Sequence, residues 1–302
     1  MEDPDTRDAN ERGAIIGASG IVSKVGGFEP FYAFRIASEV HASEHLNVRT
    51  EVSYLQLVRE HDGPCEIGSL FLHPDYRGRD NGRLLQLVRF LFIAEHPAAF
   101  EDTVVSELRG VIDDQGHSPF WDAVGRHFFD IDFPRADYLS VVNKKFIADL
   151  MPVHPIYIPL LPATAREVIG KAHASTQPAL RNLEAEGFRF SGMVDIFDAG
   201  PCVSCPRDEI RAVRESRCGV VRAIADRPAA SEPFVVATRG AEFRACVGPV
   251  ELTGGDARIG VDLARSLNVT VGESLRFVPL RASAPPIPEA LQCATPDKEG
   301  SD

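Results

Sequence analysis

EIGSLFLH, from Glu66 to His73, decides the fold together with its continuation: Pro74, a polar turn from Asp75 to Asn81, and RLLQLVRFLFIAE from Arg83 to Glu95. The first run is short and apolar and stops at a proline, so it reads as a buried strand. In the last run Leu84, Leu87, Val88 and Leu91 recur at helical spacing, and Pro97 ends the helix. Strand, turn and helix in that order bring the first amides of a helix to the turn. Those amides lack intrahelical partners, and with the helix dipole they form an anion site. Arg77, Arg79 and Arg83 add a positive field, and small residues let a pyrophosphate approach the backbone. An ordinary charged turn is the alternative reading of the same residues.

Outward from this segment, strands are predicted at GAIIGASGIV from Gly13, at Phe31 to Ile36, Tyr54 to Arg59, Thr103 to Ile112 and Met193 to Asp198. Helices are predicted from Pro119 to Val124, capped by Ser118, and from Pro178 to Glu186, stopped by Gly187. The alternation predicts an α+β sheet domain over residues 13–215. From 216 to 281 the runs PFVVAT, FRACVGPVEL, ARIGVDLA and ESLRFVPL, separated by glycine turns, predict a small all-β, barrel-like subdomain. Residues 1–12 are expected to be a disordered arm and 282–302 a disordered tail.

The chain has 302 residues, 44% hydrophobic and 25% charged, enough for a sizeable core. Its formal charge of -12, from 44 acids against 32 Lys and Arg, argues against nucleic acid or an anionic membrane as partner and suits a cationic substrate. No apolar run approaches the ~18 residues of a membrane span, and the first dozen residues lack the apolar core of a signal peptide. Six cysteines without dense spacing fit a reduced cytoplasm. Cys202-x-x-Cys205 has no second pair, so no metal site is expected.

The turn is similar to the acyl-CoA loop of the GNAT N-acyltransferases, Arg/Gln-x-x-Gly-x-Gly/Ala. Arg77 and Gly82 match its first and last positions, and Asp80 stands where the middle glycine is expected. LRGVID at 108–113, SPFW at 118–121, RAD at 135–137, KFIADLMPVHPIY at 145–157, VIGKAH at 168–173, EGFR at 186–189 and DIFDAGP at 195–201 resemble the arginine N-succinyltransferase family. That resemblance implies a GNAT-like sheet domain that moves a succinyl group from succinyl-CoA, a co-substrate and not a permanently bound cofactor, to the α-amine of arginine. It implies that the main chain of Leu70 and the turn residues Arg77, Arg79, Asn81, Gly82 and Arg83 hold the acyl-CoA. It makes His173, the histidine ending VIG-x-x-His, the catalytic proton donor. The family begins with a β-α-α segment where a dozen polar residues stand here; its absence would leave apolar surface for a homo- or hetero-oligomer to cover.

Acyl transfer to an amine needs proton handling, and His173, just before a helix N-terminus that favours a neutral ring, suits it. His154, in a Pro-rich corner, is the second histidine. The acceptor guanidinium needs a carboxylate, and Glu107, Asp113, Asp114 and Asp195 are the candidates, with Glu107 and Asp113 bracketing a predicted strand. Arg35 and Arg109 are candidates for the succinyl carboxylate. Trp121 reads as a core anchor. Two other functions stay open: a CoA-binding subunit with impaired catalysis, and an N-acyltransferase for another acyl-CoA or for an amine such as ornithine.

Overall fold

The computed structural model describes residues 1–3, 13–78, 80–226, 232–240 and 242–281. In chain order its elements are β1 (Glu2–Asp3), β2 (Ala14–Ile15), β3 (Gly17–Val22), β4 (Phe31–Ser43), β5 (Val48–Glu60), β6 (Cys65–Leu72), α1 (Asn81–Glu95) and β7 (Thr103–Glu107). Short helices come next, α2 (Pro119–Ala123), α3 (Gly125–Phe129), α4 (Phe133–Val142) and α5 (Lys145–Leu150), then β8 (Ile156–Tyr157), α6 (Ala163–Arg166), α7 (Gln177–Ala185), β9 (Arg189–Val194), β10 (Pro201–Pro206) and α8 (Arg211–Arg214). The chain closes with β11 (Arg217–Ala225), β12 (Pro233–Thr238), β13 (Ala245–Thr253), β14 (Asp256–Gly260), α9 (Val261–Leu267) and β15 (Ser274–Pro279). Strands and helices are mixed, in keeping with the expected α+β class.

Two compact units interleave along the chain. The first comprises residues 1–21, 69–100 and everything from 207 on; the second comprises 22–68 and 101–206. This division falls elsewhere than the expected 13–215 and 216–281, because α1 packs on the C-terminal strands β12 and β15. Glu95, at the end of α1, accepts from Arg239 Nε at 2.9 Å and Arg276 Nε at 2.9 Å. A buried ion cluster of that kind ties the helix to the strands beneath it.

In the first unit β11, β14, β13, β12 and β15 close into a barrel. The subdomain is not all-β, since ARIGVDLA is a strand only to Gly260. Val261, Ala264 and Leu267, with Leu263, then recur at helical spacing, and Leu263 and Leu267 bury against the barrel. The disordered arm expected over 1–12 does not hold for its first residues. Glu2 and Asp3 pair with Ile15 and Ala14, the N-terminal ammonium donates to Gly17 O at 2.6 Å, and Tyr76 donates to Asp3 at 2.6 Å. The rest of that arm and the tail 282–302 lie outside the described residues.

The second unit's sheet runs β6-β7-β10-β9-β4-β5-β8. The β6–β7 pair is parallel, in register at Cys65↔Val104 and Glu66↔Val105, and the other pairs are antiparallel. β4 and β5 pair along their full 13 residues, far beyond the apolar stretches that predicted them, because the distal halves are polar and solvated. The core behind the sheet gathers Phe34, Leu55, Phe120, Trp121, Val194 and Phe197. Trp121 is fully buried, its indole donates to Ile131 O at 3.0 Å, and Ser118 caps its helix by accepting the Trp121 N–H at 3.2 Å. Among the described residues no helix is long and apolar enough to cross a membrane.

Candidate active site

A cavity of about 240 Å³ opens in the second unit. β7 delivers Glu107 to it and ends there, five residues short of the predicted strand end. The next residues, Leu108 to Gly110, run against Asp198–Gly200 so closely that a Cβ on Gly110 would strike Asp198, and one on Gly200 would strike the Leu108 carbonyl. Asp195 shapes the facing loop: its Oδ1 accepts the N–H groups of Phe197 at 2.7 Å and Asp198 at 2.8 Å. Asp198 in turn accepts the Gly200 N–H at 2.8 Å. α4 and the α4–α5 link bring Asp137 and Lys144 to the rim.

Four carboxylates, of Glu107, Asp137, Asp195 and Asp198, thus face two cations, Arg109 and Lys144. Arg109 is committed. It grips Asp137 with both terminal nitrogens at 3.1 and 3.0 Å, lies 3.7 Å from Asp198, and stands over the Phe133 ring at 5.6 Å. Burial opposes its charge, but the paired Asp137 and then Asp198 and Asp195 outweigh that and raise its pKa. Glu107 and Asp195 have no such partner: among the described residues no Lys or Arg nitrogen reaches within 4.0 Å of either. Glu107 takes one weak bond, from the Cys202 thiol at 3.6 Å. Withdrawal from water, then the charges of Asp195 and Glu66, push its pKa well above the carboxylate range. Burial and then Asp198 raise Asp195 to about 7. Glu66 rises too, by burial, against the field of Lys144.

His173 is fixed to the same segment of chain. Gly110 and Ala172 form an antiparallel bridge, and the His173 N–H donates to Arg109 O at 2.8 Å. Its Nδ1 accepts the Ser175 N–H at 3.2 Å and lies 2.7 Å from the Ser175 hydroxyl. A backbone amide can only donate, so this contact favours the tautomer that leaves Nδ1 a lone pair and puts the hydrogen on Nε2.

In the first unit the turn before α1 carries two residues in the left-handed region. Gly78 has φ +87°, Asp80 has φ +62°, and nothing would crowd a Cβ on Gly78 or Gly82. No side chain caps α1 at Asp80. Asp80 adopts the left-handed conformation that the expected glycine would, and its carboxylate pairs with Arg281 at 2.8 Å. Two predicted side chains serve the turn itself, Arg77 Nε donating to Leu72 O at 3.2 Å and Asn81 to Tyr76 O at 2.9 Å, while Arg83 Nε donates to Leu280 O, just past β15, at 2.6 Å. Arg79 lies outside the described residues. Leu70, 36% exposed, comes after Ser69, whose φ of +50° bends β6.

Asp113 does not join Glu107. It sits on an exposed turn, its carboxylate accepting the N–H groups of Gln115 at 2.9 Å and His117 at 2.8 Å, on a separate groove. Asp114, Arg35 and His154 are exposed and do not line the cavity. Sequence reasoning missed Asp137, Lys144 and Asp198. The first and last lie within RAD and DIFDAGP, motifs that stand out without revealing their roles; Lys144 carries no signal. Among the described residues no group of three or more His, Cys, Asp and Glu is arranged to hold a metal.

The model of the family described as arginine N-succinyltransferase beta subunit matches residues 6–212, and that of its C-terminal domain matches 217–279. The arginine N-succinyltransferase subunit beta of Pseudomonas aeruginosa is 43% identical over 275 residues, 90% of this chain and 81% of that protein. The arginine N-succinyltransferase of Yersinia enterocolitica is 44% identical over 275 residues, 90% of this chain and 80% of that one. The solved arginine/ornithine succinyltransferase subunit AI of Pseudomonas aeruginosa superposes with a TM-score of 0.81 at 35% identity, covering 89% of this chain and 79% of that chain. With identity of this level over nine-tenths of its length, the chain belongs to the arginine N-succinyltransferase beta subunit family.

Proposed function

We propose that this chain is an acyltransferase that moves the succinyl group of succinyl-CoA to the α-amine of L-arginine, releasing N2-succinylarginine and CoA in the breakdown of arginine. One observation carries the reading: an acid-lined cavity in which Glu107 and Asp195 lack a cation. A guanidinium supplies one, and its charge offsets the burial and, after it, the mutual repulsion that raise their pKa values. Arginine therefore binds with its guanidinium toward Glu107 and Asp195. His173 presents Nε2–H to the leaving sulfur and stabilises the thiolate as the C–S bond breaks. Counted from its ammonium form, the substrate amine loses two protons: one goes to solvent before attack and one ends on CoA. No acyl-enzyme is required.

The sheet fits the GNAT type. The parallel register of β6 and β7 ends at Glu66↔Val105, and Ser69 turns β6 just before Leu70. Parted strands of this kind leave main chain for a thioester and pantetheine. The amides opening α1, with the main chain at Gly82, take the diphosphate. With Asp80 paired to Arg281, that carboxylate no longer argues for an impaired CoA site. The relatives named as subunits support work within an oligomer.

A thiol-release assay with succinyl-CoA and arginine tests the reading, with acetyl-CoA and ornithine as the competing donor and acceptor. CoA release with succinyl-CoA and arginine is expected; release with acetyl-CoA alone would overturn it. His173→Ala should lower kcat by ~10²–10⁴-fold. An unchanged kcat removes the imidazole from the chemistry.

A further inference from the structure

An α-amino acid bound by its guanidinium in an acidic cavity brings a carboxylate into the same space, and that group needs a cation. Arg109 does not offer one, being held by Asp137 through both terminal nitrogens and flanked by Asp198. Lys144 differs. It lines the cavity, yet among the described residues no carboxylate lies within 4.0 Å of its ammonium, and no hydrogen bond engages it. Its backbone is nevertheless fixed. The carbonyl of Lys144 accepts the N–H of Ile147, which is buried, and Asn143 accepts the N–H of Lys145 at 2.7 Å. A held backbone with an unengaged ammonium is what a carboxylate clamp requires.

We infer that Lys144 is a specificity residue that binds a substrate carboxylate, so the cavity reads both ends of the amino acid. The inference rests on the succinyl-transfer reading. A carboxylate comes from two sources in that reaction, the acceptor amino acid and the free end of the succinyl group, and the same chemistry serves either. The competing structural role is to offset the field of Glu66 and Glu107, which Lys144 also feels.

The two roles separate with arginine and agmatine, which share a guanidinium and an amine but differ by the carboxylate. In Lys144→Met the KM for arginine should rise about 10–100-fold, the loss of one charge-assisted bond. The inhibition constant of agmatine should stay the same or fall, and Lys144→Arg should restore most of the arginine KM. A rise in KM for succinyl-CoA but not acetyl-CoA, with arginine unaffected, assigns the ammonium to the donor's carboxylate instead. Equal changes for arginine and agmatine together with equal changes for the two donors, or no change in any of them, overturn the inference. Wild-type protein that releases no CoA overturns the succinyl-transfer reading separately, and Lys144 is then judged by calorimetric binding of arginine against agmatine.

Discussion

The two units treat buried charge in opposite ways. In the first, Glu95 is almost wholly buried, and two guanidiniums hold it, those of Arg239 and Arg276. Arg276 also donates to the Ser216 hydroxyl at 2.9 Å, and buried Arg211 finds the Pro279 carbonyl at 3.2 Å. In the second unit Glu107 and Asp195 line one cavity, half-buried, with no cation within 4.0 Å among the described residues. A charge buried with its partner holds architecture together. One held in a cavity without a partner costs stability, and such groups gather at functional sites.

That contrast breaks most visibly at Glu95. Glu95→Ala leaves two guanidiniums facing each other in the interior and should cost the first unit ~3–5 kcal/mol. The urea midpoint of that unit is the measurement, and an unchanged midpoint would show that the cluster is not structural. Next in size, Glu107→Gln and Asp195→Asn should behave the other way. Each removes a repelled charge, so thermal stability should hold or rise, while KM for arginine rises about 10–100-fold as a charge-assisted bond is lost. Variants that melt earlier with KM intact would place these acids among the structural ones.

The first side of this contrast is easier to read in the sequence than the second. Strand, turn and helix at 66–95 stand out because apolar period and proline are local signals, and Ser118 and Gly187 likewise mark helix ends within a few residues. The ring of acids does not. Glu107, Asp137 and the Asp195–Asp198 pair come from three separate segments; the approach of Gly110 to Gly200 joins two of them, and α4 brings Asp137. Asp113 joins Glu107 only if one strand carries both, but β7 ends at Glu107 and the chain leaves the sheet. The helices α4 and α5 are hidden by prolines and by exposed apolar residues such as Tyr138, Val141 and Val142, which blur the period. α9 is lost because its apolar run continues that of β14 without a break.

A smaller effect should track pH. Asp195 titrates near 7 in the folded protein against 3.8 for an ordinary aspartate, so the folded state holds the extra proton between those values. Folded protein binding more protons means stability falls as pH rises through that window, by at most ~1.4 kcal/mol per pH unit. The ligand-free protein should therefore melt higher at pH 5.5 than at pH 7.5. Arginine should narrow the gap, because it binds the ionised form, and its KM should fall as pH rises through 7. Asp195→Asn should flatten both trends, and trends that persist in the variant would assign them to another group.

The smallest effect is expected at Asp80, where a carboxylate stands at a proposed anion site but is paired with Arg281. Its pair with Arg281 is partly exposed and worth ~0–1 kcal/mol. Glycine would relieve the left-handed backbone by ~1 kcal/mol and return a similar amount as unfolded-chain entropy, so stability should barely move. In Asp80→Gly the KM for succinyl-CoA should change less than about threefold, since one negative charge leaves the helix N-terminus while the freed Arg281 stays exposed and screened. A tenfold fall in that KM would mean the aspartate repels the diphosphate in the native enzyme. The charge of the first unit would then be balanced less completely than its buried ion cluster suggests.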